Sequence, residues 1–298
     1  MIAFQIRQLT PKSLPLNLQQ LHRIIKLKVI SVMMFSSFIG VLITPKHSWS
    51  LQKAGSAMIG ITLAACGSAA LNHLFDRDED KKMRRTKNRP LAQETLCKNT
   101  TTGFAITMIT LSMSVLCIFN NTLSAALTLI TTLGYSVLYT KILKPTTPQN
   151  IVIGGLSGAT PPLLGWSAMT GNITTEPLLL VLIIFVWTPA HFWPLAIEHV
   201  DDYAKTKWPM LPVTHGISFT KASILGYALL TTACSLMPYC VKMTGETYLA
   251  ISLILNTRWL QLCTKLWYDT TKAMPLFRFS ITYIMVLFVA LLLDHRSI

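Results

Sequence analysis

Apolar residues in this chain run in long unbroken blocks. They show neither the alternation of a half-buried strand nor the narrow stripe of a soluble amphipathic helix. Blocks lie near 28–44, 54–75, 100–118, 122–140, 149–169, 176–196, 220–240, 247–267 and 275–293. Each approaches the roughly 20 residues that a helix needs to cross a bilayer. The pattern predicts an all-α polytopic membrane protein of nine transmembrane helices. An N-terminal tail, 1–27, precedes a single membrane domain, 28–298. The fifth block, "IVIGGLSGATPPLLGW", carries glycines and prolines. Membrane helices accept these when neighbours or water satisfy the freed backbone groups.

Composition supports that reading. Of 298 residues, 51% are hydrophobic and 13% charged, with a mean hydropathy of +0.48. A soluble domain carries roughly 25% charged residues. With the N-terminus inside, 21 of the 26 Lys and Arg fall in or beside inside segments. Lys46, Lys53, Lys242 and Arg296 fall outside, and Arg258 lies within the eighth block. That bias fits an odd number of spans and an inside N-terminus. The net charge of +14 then reflects topology and anionic lipid, and no nucleic-acid motif accompanies it. The mostly polar N-terminal stretch predicts no secretory signal. Six cysteines without CxxC spacing, most of them inside apolar blocks, predict buried structural thiols.

Charge is concentrated where it changes the picture most. Of twelve acids, Asp76, Asp78, Glu79 and Asp80 follow the second block, and Glu198, Asp201 and Asp202 follow the sixth. Both windows emerge on the inside face. Their matching places suggest two four-helix halves facing each other, with one further helix. Acids contribute little to topology, so the clustering needs another cause. Asn72, Asp76 and Asp80 are spaced by four, which aligns them along a continuing helix. An amide oxygen and carboxylates are hard ligands suited to Mg²⁺.

The bases are too numerous to serve only the acids. Arg84, Arg85, Lys87 and Arg89 follow the first window, and Lys141 and Lys144 leave the fourth block on the same face. A diphosphate bridged by Mg²⁺ to the carboxylates would balance both signs. There is no GxxxxGK[ST] loop for a nucleotide, and no HExxH or CxxC for zinc. A diphosphate beside a bilayer points to a lipid-tailed substrate that ionises at its allylic carbon.

Asn72-x₃-Asp76-x₃-Asp80 resembles the first aspartate-rich motif of the intramembrane aromatic prenyltransferases, the UbiA superfamily. The longer strings "DRDEDKKMRRTKNRPL", "YTKILKPTTPQNIVIGGLSGATPPLLGW", "WTPAHFWPLAIEHVDDY" and "PMLPV" look like its protoheme IX farnesyltransferase branch, in order and spacing, from about residue 20 to 290. The resemblance implies a nine-helix bundle with a lipid-facing cavity. It also implies Mg²⁺-dependent farnesyl transfer from farnesyl diphosphate to a vinyl group of haem B, with addition of water, giving haem O. By the motif match Asn72, Asp76, Asp80 and Asp202 hold the metal, with Asp201 and Glu198 as further candidates. Asp76, Asp80 and Asp202 are the catalytic carboxylates.

The diphosphate candidates are Arg84, Arg85, Lys87, Arg89, Lys144 and Lys141, and His191 is the haem candidate. Partners are the lipid bilayer and a haem A synthase. The location is a cell inner membrane with cytoplasmic site loops, or alternatively a mitochondrial inner membrane with matrix loops. Three departures stand out: "LKP" at 143–145 lacks a second base, Ala190 replaces a proline, and Trp208 replaces a smaller residue in a loop placed near the lipid surface.

His73 and His199 read as loop or cavity-rim residues, and Tyr139 and Tyr203 as interfacial tyrosines. Two rivals compete with haem farnesylation. One is prenylation of another aromatic acceptor such as 4-hydroxybenzoate. The other is a secondary transporter, which would place its acids at mid-membrane rather than at helix ends.

Overall fold

In the computed structural model, residues 18–296 are described; the first seventeen residues of the expected tail lie outside that range. No strand occurs among the described residues, apart from one isolated bridge pairing Thr244 with His295. The described part of the tail forms α1 (Leu18–Ile24), and α2 (Leu27–Leu42) follows through Lys26 in a left-handed conformation.

The second apolar block becomes α3 (Leu51–Asp80), started by Ser50, whose hydroxyl accepts from the Lys53 N–H. At 1.5 Å per residue its thirty residues reach roughly 45 Å. That exceeds the roughly 30 Å hydrocarbon core, so one end must project into the polar zone. The acids sit at that end.

Next come α4 (Lys98–Phe119) and α5 (Thr122–Leu133). Then α5 widens into a π-helical run, Gly134–Leu143, which flows into the short α6 (Lys144–Thr146). The fourth helix therefore runs past the expected end at 140. The fifth block is not one helix. It is broken at Thr160 into α7 (Asn150–Ala159) and α8 (Pro161–Thr170). Proline has no N–H to continue the ladder but is at home in a first helical turn, so the Pro161-Pro162 pair ends one helix and starts the next.

The second half holds α9 (Thr175–Glu198), α10 (Val200–Tyr203), α11 (Leu211–Thr214), α12 (Gly216–Cys240), α13 (Glu246–Tyr268) and α14 (Ala273–Leu293). Here α9, α12, α13 and α14 pack around the largest core cluster, which holds Trp193, Trp259, Tyr248 and Phe288. On the other side α3 packs chiefly on α4, while α2 packs on α8 and also touches α14.

By length and composition six helical stretches suit a membrane crossing: α3, α4, α5 through α6, α9, α12, and α14 with its preceding turn. This is a multi-pass membrane protein. The six cysteines are free, as expected, but only Cys263 is buried; Cys117 and Cys240 are exposed. Arg258 is exposed on α13 as well.

The α2–α8 contact brings two backbones close together. A Cβ on Gly40 would lie 2.0 Å from the Pro162 carbonyl oxygen, and one on Gly165 would lie 2.1 Å from that of Ser37. Backbone against backbone leaves no flexible atom to yield, and small residues permit this approach in membrane bundles. Gly165→Val should therefore destabilise the protein by about 1–3 kcal/mol. Gly226→Ala on α12, where an added Cβ meets nothing within 4 Å, should not. Thermal unfolding in detergent checks this; equal midpoints for the two variants would contradict the packing described.

Candidate active site

The end of α3 carries the first acidic window, and its spacing holds because the helix stays regular to Asp80. Asn72, Asp76 and Asp80 are all buried, at 2%, 4% and 1% exposure. Carboxylates so placed require partners, and each has one. The Lys144 ammonium lies 2.6 Å from Asp76, and Arg89 grips Asp80 through two contacts of 2.7 and 2.9 Å. Asn72 donates to the Thr140 hydroxyl at 3.1 Å and accepts from Lys26.

The π-helical run explains how one helix serves two of these partners. The Thr140 hydroxyl donates to the Tyr135 carbonyl five residues back, at 2.8 Å. The wider turn of the π-helical run shifts the phase of the residues after it. Lys144 is buried on Asp76, whereas Lys141 is exposed along the flank, 5.9 Å from the Phe75 ring centre. The two lysines do not share a setting.

The second window meets the first directly. Asp202, 7% exposed, accepts from the backbone N–H of Arg84 at 3.1 Å and from Lys205 at 3.1 Å. Burial would raise its carboxyl, but Lys205 and the N–H groups of Arg85 and Arg84 outweigh that and hold it below the usual aspartate range. Glu79 accepts from the Lys207 N–H at 3.0 Å, which locks the same two loops again. Trp208 is buried rather than placed at the lipid surface, and the Lys144 ammonium sits 3.5 Å from its ring centre. Lys144 thus joins Asp76 to the loop that carries Asp202.

Glu198 and Asp201 are exposed and stand outside this group. A four-residue spacing places Glu198 beside Asp202 only if the helix continues. It stops at His199, whose φ of −112° and ψ of 26° separate α9 from α10. Asp201, about 100° round its short helix from Asp202, is left exposed where Asp202 is buried. Among the described residues no cluster of three or more His, Cys, Asp or Glu is preassembled to hold a metal. The acids are held by cations instead.

Beside them lies a basic pocket of about 340 Å³, lined by Arg23, Lys26, His73, Arg85, Asn88, Arg89 and Pro90, with no acid. Of the expected bases, Arg85 and Arg89 line it. Arg84 contributes its backbone N–H to Asp202 while its side chain is exposed, and Lys87 is exposed. His73 lines it too but is buried, and neither ring nitrogen has a protein partner. Tyr203 is buried, with the Arg85 charge acting on it, and is not an interfacial tyrosine.

Sequence reasoning missed Arg23 and Lys26, reading both as topology charges. The available signal was "HRIIKLK" directly before the first apolar block. Burial, together with the Arg89 charge, pushes the Lys26 ammonium down to about 7, against the opposing pull of Asp76.

Lys26 also borders a second, apolar cavity of about 500 Å³. That cavity runs between α2, α3, α5, α8, α9 and α14, past Ile61, Thr132, Leu164, Ile184 and His191. The volume is in the range of small-molecule sites. A basic pocket and an apolar cavity thus share Lys26 as a wall residue.

The UbiA prenyltransferase family model matches residues 33–292, most of the chain. The chain belongs to the UbiA prenyltransferase family. It is 49% identical over 274 residues to "Protoheme IX farnesyltransferase 1" of Pseudomonas putida (strain GB-1), covering 91% of this chain and 92% of that one. It is 47% identical to the protoheme IX farnesyltransferase of Stutzerimonas stutzeri (strain A1501), covering 91% of each. Among solved structures, a digeranylgeranylglyceryl phosphate synthase superposes with TM-score 0.77 at 19% identity, over 93% of this chain and 98% of that one. A UbiA homolog from Archaeoglobus fulgidus bound to GPP and Mg²⁺ gives 0.63 at 15% identity, over 91% and 99%. Family membership makes this protein a prenyl-transferring enzyme.

If the basic pocket is the anion site of this UbiA member, Lys26→Ala should weaken binding of Mg²⁺–pyrophosphate by about tenfold or more, the worth of a charged hydrogen bond. Lys87→Ala should leave it unchanged. Calorimetric titration checks the pair, and equal losses would move the anion out of this pocket.

Proposed function

We propose that this protein is a haem O synthase, transferring farnesyl from farnesyl diphosphate to a vinyl group of haem B. The observation that carries this is the junction at Lys26. An acid-free basic pocket beside three buried carboxylates meets an apolar cavity there. That junction fits a substrate with a charged diphosphate head and a hydrocarbon tail. The acceptor's identity rests on the protoheme IX farnesyltransferases, which match over nine-tenths of the chain.

The residues fit Mg²⁺. Asn72, Asp76, Asp80 and Asp202 supply hard oxygen donors from two windows that touch, and each carboxylate now has a cation that a metal–diphosphate could replace. Mg²⁺ held there would offset the charge that develops on the diphosphate as it leaves. Arg85, Arg89 and Lys26 line the pocket into which that charge moves, and they stabilise it electrostatically. The allylic C–O bond breaks, the farnesyl carbon bonds to the vinyl terminus, and water adds to the resulting cation with loss of a proton. The apolar walls keep water from the farnesyl cation before the carbon–carbon bond forms. Haem B is a substrate here, and His191, in the wall of the apolar cavity, is its contact.

In this reading residues 28–298 form one domain crossing the membrane nine times, with the broken α7–α8 pair as the fifth crossing. The distribution of Lys and Arg puts the N-terminus and the site loops on the cytoplasmic face. The bacterial relatives favour a cell inner membrane. A haem A synthase would take the product.

Purified protein incubated with haem B, farnesyl diphosphate and Mg²⁺ should yield haem O by mass spectrometry, and omitting the metal should abolish it. Asp76→Asn and Asp202→Asn should each lower the rate by about 10²-fold or more while the protein still inserts. Undiminished haem O from either variant would remove that carboxylate from the chemistry.

A further inference from the structure

His191 is held between two aromatic rings. Its ring centre lies 4.2 Å from that of Trp187 at an interplanar angle of 11°, and 4.8 Å from that of Phe277 at 22°. With both faces covered, no flat ligand can stack on the imidazole. Only an edge is open, and one edge nitrogen is already engaged: Nδ1 lies 2.5 Å from the Ser280 hydroxyl oxygen.

The other contact of Ser280 decides the direction of that hydrogen bond. Its hydroxyl also lies 2.5 Å from the Phe277 carbonyl, which can only accept. A hydroxyl has one proton to give. That proton goes to the carbonyl, so the oxygen accepts from Nδ1–H. Nδ1 therefore carries a proton, and a second one on Nε2 would bury an uncompensated charge in apolar walls, so Nε2 keeps its lone pair. Ser280 cannot easily shift, being fully buried, and its own carbonyl accepts the Trp187 indole N–H at 3.1 Å. Trp187, His191 and Phe277 all line the apolar cavity. With its faces covered and Nδ1 occupied, the edge that His191 offers there carries Nε2.

An edge-on neutral imidazole in apolar walls is the donor that an iron tetrapyrrole takes as an axial ligand. We propose that Ser280 is a positioning residue that presents Nε2 of His191 to the iron of the incoming haem, so that the acceptor is seated through its metal. The proposal rests on the haem reading above and adds how the macrocycle is held. Ligation through Nε2 sets the macrocycle across the edges of Trp187 and Phe277 instead of parallel to them.

The test titrates detergent-purified full-length protein with ferric haem B and, separately, with metal-free protoporphyrin IX, following the Soret band. Wild type should bind haem B about tenfold or more tighter than the metal-free ring, and with a nitrogen-ligated spectrum. Ser280→Ala should lose about tenfold in haem affinity, the usual cost of removing a hydrogen bond behind a metal ligand. It should leave the metal-free ring and Mg²⁺–farnesyl diphosphate unaffected. His191→Gly should lose the ligated spectrum and regain it with added imidazole. Equal affinity of wild type for both rings, or an unchanged Soret band in His191→Gly, would overturn the proposal. So would a Ser280→Ala loss shared equally by the two rings, which would mark a packing role. If neither ring binds, the proposal and the haem reading fail together, whereas haem O formation with equal ring affinities would sink the proposal alone.

Discussion

Everything at the working end of this molecule follows from burying negative charge at the edge of a membrane. Asp76, Asp80 and Asp202 are each less than one-tenth exposed, and Lys144, Arg89 and Lys205 stand against them. Stripping one partner from a buried ion pair costs about 3–5 kcal/mol, whereas exchanging it for another partner need not. The pairs are therefore strong enough to order the loops and still open to replacement. A metal-bound diphosphate brings both signs at once: the carboxylates can turn to the cation and the freed bases to the anion. The secondary structure serves this constraint. The extra length of α3 carries Asp76 and Asp80 beyond the apolar zone, and the π-helical run turns Thr140 and Lys144 onto it.

The second feature is the adjacency of two unlike spaces. A basic pocket binds charge, an apolar cavity binds hydrocarbon, and Lys26 borders both. Its place between α1 and α2, in a left-handed backbone conformation, lets an N-terminal residue reach Asn72 on α3. The tail thereby closes the site that α3 opens. His191 and Ser280 belong to another wall, where α9 and α14 meet, so in the function proposed above the two substrates would be held by different helices.

The locked loops matter for catalysis as well as for folding. Arg84 and Lys207 give backbone N–H groups to Asp202 and Glu79 across the two windows. Trp208, in a loop expected near lipid, forms instead an aromatic floor under Lys144. These contacts tie the two carboxylate sources together through the protein's own groups.

By itself, the sequence determined the helical class, the apolar blocks, the sided charge and the Asn72–Asp76–Asp80 stripe. Each depends on local periodicity or on bulk charge, which survive without knowing what packs where. The four-residue stripe held because α3 is regular to its end. Glu198 and Asp202 have the same spacing, yet they part because the chain breaks at His199, and no periodicity announces that break. The tertiary structure alone decided which bases meet the acids, that Lys26 and Arg23 line the basic pocket, and that Lys141 lies outside it. It alone set His191 against Ser280, between Trp187 and Phe277. Those outcomes depend on contacts between helices far apart in sequence, where geometry rather than spacing selects the partner.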